Sequence, residues 1–211
     1  MRLFRVLVRV GVPLRRWCRV EVEGVDVLPA DGVPLLVVSN HDSMIDPLAI
    51  VDTMVRADRA VRFLAMDRLW RWRVIGLIMD QLGQIPVRRG AGDIAAMQAA
   101  VDALAMGQPV CIFPEGGLSG GQRVRARRGV ARLIEAVPQV EVVLAAIEGT
   151  PDLVRFPRRP RVRVQLFRPS APPRPGEEGH AELAERLLSE IRERVRPAAA
   201  GRRPPRTARD L

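Results

Sequence analysis

LLVVSNHDSMIDPL, residues 35–48, is the stretch around which the rest of the chain is read. Leu35, Leu36, Val37 and Val38 form an apolar run with the length of a short buried strand that ends at Ser39. Asp46-Pro47 carries the signature of a helix start, an aspartate at the cap followed by a proline at the first helical position. His41, one of 2 histidines in the chain, sits between strand and helix. Loops at strand ends of open α/β proteins leave side chains uncovered, which is where such folds build active sites.

Five positions separate His41 from Asp46. On one helix they would lie on different faces, but a strand-to-helix turn folds the carboxylate back onto one imidazole nitrogen and leaves the other to accept a proton. A carboxylate that fixes the tautomer and stabilises the imidazolium makes a histidine a general base near neutral pH. A substrate hydroxyl then supplies the attacking oxygen, with no serine or cysteine nucleophile. The same residues also fit a plainer arrangement, in which Asp46 only caps the helix and His41 only bonds the backbone.

Two further stretches follow in order. Gly83-Gln84-Ile85-Pro86-Val87-Arg88-Arg89 reads as a helix end, a short strand and a pair of guanidiniums, whose planar forks of donors suit phosphate. Val110 to Phe113 is the next buried strand, and Pro114-Glu115-Gly116-Gly117 is a sharp turn that projects Glu115 at its end. A carboxylate there accepts hydrogen bonds from hydroxyls, and the glycines let a substrate approach the backbone. Each block alone is also compatible with an ordinary solvated turn.

Taken together, Asn40-His41-Asp42-Ser43-Met44-Ile45-Asp46, Gly83 to Arg89 and Phe113-Pro114-Glu115-Gly116 resemble the ordered NHxSxxD, GxIxVxR and FPEG blocks of the glycerolipid acyltransferases. The resemblance implies that family's fold and a set of roles: His41 and Asp46 as catalytic pair, with Asn40, Ser43, Arg89, Glu115 and Gly116 around the acceptor. It implies acyl-CoA or acyl carrier protein as donor substrate, a lysophospholipid as acceptor, most directly 1-acylglycerol 3-phosphate, and no cofactor or metal. Leu118 stands where the family pattern continues with arginine, which leaves the acceptor open. Arg123, Arg125, Arg127 and Arg128 follow and offer replacement charge, or form a solvated loop. The fourth block matches weakly, with Ala145 or Ala146 in place of a proline.

Charge is concentrated at the ends of the chain. All 34 basic residues are arginine; residues 1–19 hold six of them and no acid, and residues 197–211 hold four against Asp210. A nucleic-acid binder more often carries a basic surface on its folded body, whereas basic ends suit an anionic membrane. Leu3, Leu7, Val10, Leu14 and Trp17 recur at helical spacing between arginines, an amphipathic interfacial pattern that Pro13 interrupts. No run reaches the ~18 apolar residues of a spanning helix, and no small-residue cleavage site follows the first stretch. The expected location is peripheral or monotopic on the cytoplasmic side of a membrane. Cys18 and Cys111 lack metal-ligand spacing, and Cys111 reads as core.

Alternating strands and helices point to one α/β domain with a mainly parallel central sheet flanked by helices. The expected organisation is a basic amphipathic segment over 1–19 facing the membrane, the domain over 20–196, and a disordered basic tail over 197–211. One apolar helix is expected over 68–81, either buried or presenting tryptophans to a membrane interface, and another over 126–136. His180 opens the last helix as a surface residue. A different lysolipid acceptor, or a non-enzymatic basic membrane-binding protein, is the alternative.

Overall fold

The computed structural model describes residues 18–88, 93–119, 122–151, 161–174 and 176–195. The basic N-terminal segment up to residue 17, the tail beyond 195 and Arg89 lie outside the described residues.

The strands are β1 (Arg19–Glu23), β2 (Leu35–Ser39), β3 (Arg62–Met66), β4 (Ile85–Val87), β5 (Val110–Ile112), β6 (Glu141–Glu148) and β7 (Arg161–Phe167). The helices are α1 (Asp46–Arg56), α2 (Arg73–Gln81), α3 (Ile94–Ala105), α4 (Gly129–Ala136) and α5 (His180–Arg194), with 3-10 turns at Val25–Val27 and Asp67–Arg71. The strands form one sheet in the order β1-β7-β6-β2-β5-β3-β4. From β6 to β4 all neighbours are parallel; β7 runs antiparallel to β6, and β1 runs parallel to β7. The expected α/β fold with a mainly parallel sheet is present.

β2 lies mid-sheet and all five of its residues are buried. Leu36 and Val38 face a layer built from α3, α4 and α5, with Ala100, Leu133 and Leu187 among its members. Leu35 and Val37 face the opposite layer, where Ile50 and Met54 of α1 meet Val162, Val164 and Leu166 of β7. A strand buried on both faces has no wet side to alternate with, hence the continuous apolar run. Each such side chain contributes about 1.5–3 kcal/mol of hydrophobic stabilisation.

Three elements differ from the sequence reading. Asp46 does not cap α1: Ile45 holds the cap position without a side-chain bond, Asp46 is already helical, and its carboxylate turns back toward the preceding loop. The helix expected over 68–81 is broken, because Trp72 is extended (φ −93°, ψ 105°) between the 3-10 turn and α2. The turn folds against α2 at Gly76, where an added Cβ would stand 3.2 Å from the Trp70 carbonyl oxygen, and the Trp70 indole N–H donates to Asp80 at 2.6 Å. α4 starts at Gly129, not Ala126. The amide of Ala126 donates to Glu185 at 2.9 Å and that of Arg127 to the Pro114 carbonyl at 2.7 Å, which holds both outside the helix.

Because β2, β5 and β6 are neighbours running in one direction, the loops that follow them emerge side by side at one edge of the sheet. Among the described residues, no helix is long and apolar enough to cross a membrane.

Candidate active site

Asn40 and His41 directly follow β2. Asn40 is buried and is held by β6: its Nδ2 donates to the Ile147 carbonyl at 3.0 Å and its Oδ1 accepts the Ile147 N–H at 2.8 Å. Nδ2 also lies 3.1 Å from Asp42 Oδ2. The amide that the resemblance places toward the acceptor is thus engaged within the protein, fixing the point at which the chain leaves the sheet.

From that fixed point the loop turns so that His41 Nδ1 meets Asp46 Oδ2 at 3.1 Å. Asp46 is fully buried and accepts two more hydrogen bonds, from the Ser43 N–H at 2.7 Å and from the Thr150 hydroxyl onto Oδ1. Three donors around one carboxylate leave it little freedom to rotate, so the imidazole is oriented from below. With Nδ1–H donated to Asp46, Nε2 is the ring nitrogen that accepts a proton. Phe113 stacks on the imidazole, ring centres 4.2 Å apart and planes 19° from parallel, which leaves the ring edge as its working surface. Ser43 shapes the turn, its Oγ accepting the Ile45 N–H at 3.3 Å.

The turn after β5 closes on this loop from the other side. Glu115 Oε2 accepts the His41 main-chain N–H at 2.6 Å, Ser119 donates its N–H to the His41 carbonyl at 2.7 Å, and the Ser119 hydroxyl donates to Asp42. Glu115 is buried, and its carboxyl is pushed up to about 7, first by desolvation and then by the nearby Asp42 charge. The His41 N–H and Arg192, whose Nη2 stands 3.6 Å from Oε1, act in the opposite direction. The amides of His41, Ser43, Ile45 and Asp46 are all engaged within the loop or by Glu115, so none of these four faces outward as an oxyanion donor.

Gly116 has φ +66°, the left-handed region that favours glycine, and an added Cβ would overlap the Arg127 side chain. Arg127 therefore lies across the turn. It also lines a cavity of about 490 Å³ together with Arg125, Arg128, Arg132, Val87 and Met97. Of the loop arginines Arg127 is thus brought against the Glu115–Gly116 turn, with Arg125 and Arg128 sharing its cavity, whereas Arg89 falls outside the described residues.

Residues 19–151 match the family described as Acyltransferase. The chain belongs to the acyltransferase family. Its similarity to a chloroplastic 1-acyl-sn-glycerol-3-phosphate acyltransferase of Arabidopsis thaliana is 26% identity over 134 residues, 63% of this chain and 36% of the relative. A lyso-ornithine lipid O-acyltransferase of Pseudomonas aeruginosa is 31% identical over 125 residues, 56% of this chain and 46% of the relative. The chain thus spans between about a third and a half of the length of these curated relatives. The crystal structure of the 1-acyl-sn-glycerophosphate acyltransferase PlsC from Thermotoga maritima superposes with a TM-score of 0.72 at 22% identity, covering 93% of this chain and 80% of that one. That likeness establishes the shared fold of this acyltransferase domain.

Sequence reasoning singled out His41, Asp46 and Glu115, which the fold gathers at one edge of the sheet. It missed Thr150, Asp42, Ser119 and Arg192. Asp42 stands inside the first motif and Ser119 directly after Leu118, so both lay beside residues already singled out, whereas Thr150 and Arg192 act through tertiary contacts.

Proposed function

We propose that the protein transfers a fatty acyl group from a thioester, acyl-CoA or acyl carrier protein, to the free hydroxyl of 1-acylglycerol 3-phosphate, giving phosphatidic acid. The observation that carries this reading is the His41–Asp46 contact at the head of β2, with Nε2 left to accept a proton beside the Glu115 turn. His41 Nε2 takes the hydroxyl proton as the oxygen attacks the thioester carbonyl carbon. Asp46 stabilises the imidazolium that forms. As the tetrahedral intermediate collapses the C–S bond breaks, the proton passes from His41 to the departing thiolate, and the new ester and free thiol leave. General-base assistance of this kind is worth about 10² to 10⁴ in rate.

Acceptor phosphate is held by guanidinium groups near Gly116. Leu118 lacks the charge expected at its position, and Arg127 across the same turn supplies it in this reading, together with Arg89 from the second block. The apolar chain of such an acceptor resides in a bilayer, and the basic N-terminal segment suits an anionic one.

A lysolipid without a terminal phosphate is the second reading. It is favoured by Leu118 and by the similarity to a lyso-ornithine lipid acyltransferase. Supplying labelled acyl-CoA or acyl carrier protein with 1-acylglycerol 3-phosphate and a neutral lysolipid in competition decides between them. Preferential formation of phosphatidic acid, with KM for that acceptor raised in Arg127→Ala, supports the first; acylation of the neutral lipid alone supports the second; thioester hydrolysis without lipid product contradicts both.

A further inference from the structure

α2 is an apolar helix that belongs to neither hydrophobic cluster of the domain, and Gly76 is its only buried residue. Trp72 and Val74 are each 71% exposed and Leu77 62%. Val74 and Leu77 are three apart and share a helix face.

Among the described residues, large exposed apolar side chains are not scattered. Of the seven large ones among the described residues, Met44 and Leu48 follow β2, Trp72, Val74 and Leu77 follow β3, and Ile94 follows β4. Only Met106 lies at the far end of a helix. Six of seven therefore sit on the segments that leave the edge of the sheet carrying His41 and Glu115. The register of β3 against β5, Phe63 beside Cys111, brings Met66 and the turn that follows it out at the level of the Glu115 turn. Isolated exposed apolar residues need no explanation, but a set of them concentrated on one edge marks a contact surface.

Charge selects what covers it. Arg68, Arg71, Arg73 and Arg88 are exposed among these residues, against two exposed acids in the same segment, Asp67 and Asp80, the latter accepting from the Trp70 indole. The first 19 residues of the chain, with six arginines and no acid, would meet like charge there, as would a second copy of the same surface. Lipid phosphates complement it, and an indole ring beside arginines is suited to the depth of the headgroups.

We infer that the catalytic edge is itself a membrane-contact surface, with the turn over 67–71 and α2 as its docking element and an anionic bilayer as its partner. This rests on reading the site as one that takes a lipid acceptor. Docked in this way, the edge admits acceptors from the leaflet to His41 without their passing through water.

The test uses the full chain and vesicles of phosphatidylglycerol and phosphatidylcholine with brominated acyl chains. Trp72 emission is isolated as the difference between Trp17→Phe and Trp17→Phe/Trp72→Phe proteins. The expected result is quenching and a blue shift of the Trp72 component on anionic vesicles, with partitioning lowered roughly tenfold or more in Val74→Ser/Leu77→Ser. Because these side chains are exposed, the thermal midpoint of that variant stays unchanged. Vesicle binding with Trp72 unquenched, partitioning indifferent to the double substitution, or no vesicle binding would each overturn the inference. Binding needs no turnover, so absence of acyl transfer would remove the functional reading and leave the docking result to stand separately.

Discussion

The main-chain N–H of His41 donates to Glu115 Oε2 at 2.6 Å, so a buried carboxyl at the head of β5 holds the backbone of the histidine at the head of β2. Burial and the Asp42 charge raise that carboxyl from 4.5 to about 7. Between these two values the folded protein keeps a proton that the unfolded chain releases. Stability therefore falls as pH rises through this window, by roughly 3 kcal/mol in total. Urea unfolding at several pH values should show this decline in the parent protein and its absence in Glu115→Gln.

Arg192 reaches Glu115 from α5 and favours its ionised form. In Arg192→Gln the carboxyl should rise further, so the loss of stability continues to higher pH. A stability profile that overlays that of the parent would separate Arg192 from this site.

Thr150 donates to the carboxylate that orients His41. Thr150→Val leaves Asp46 its bonds to His41 and Ser43 while removing one charge-assisted hydrogen bond, worth about 1.5 kcal/mol or more. Steady-state kinetics should show kcat reduced by about tenfold with KM little changed. A change confined to KM would place Thr150 in acceptor binding instead.

These partners explain what was legible in the sequence and what was not. The Leu35–Val38 run and the His41–Asp46 spacing are local, so periodicity and turn chemistry reveal both a buried strand and a foldable pair. Thr150 and Arg192 act through contacts between distant parts of the chain, and no local pattern records where β6 or α5 will pack. The break at Trp72 was hidden for another reason: residues 68–81 are apolar nearly all round, and such a run carries no mark of where one helix stops and another starts. The displaced start of α4 likewise follows from tertiary bonds to Pro114 and Glu185 that compete with the helix. The parallel pairing of β1 with β7 at the sheet edge is a topological fact outside any local signal.

Gly116 combines positive φ with the Arg127 side chain where a Cβ would stand. Gly116→Ala should cost about 1–2 kcal/mol from backbone strain alone and also displace Arg127. Adding Arg127→Ala should relieve the overlap and recover part of the stability but not the acceptor affinity. Thermal melts with acceptor titrations check both halves.

Asn40 ties the loop to Ile147 with both ends of its amide. Asn40→Ala leaves a buried N–H and carbonyl unpaired, at about 1–3 kcal/mol each. Chemical denaturation should register the loss, and amide exchange at Ile147 should accelerate.

The central claim is that His41 Nε2 removes the acceptor's proton. It is tested most directly by acyl transfer from labelled thioester to lysolipid with the parent protein and His41→Ala side by side, both shown folded by their melting curves. The account predicts product with the parent and a rate lower by about 10² to 10⁴ with the variant. Equal rates in the two proteins would contradict it.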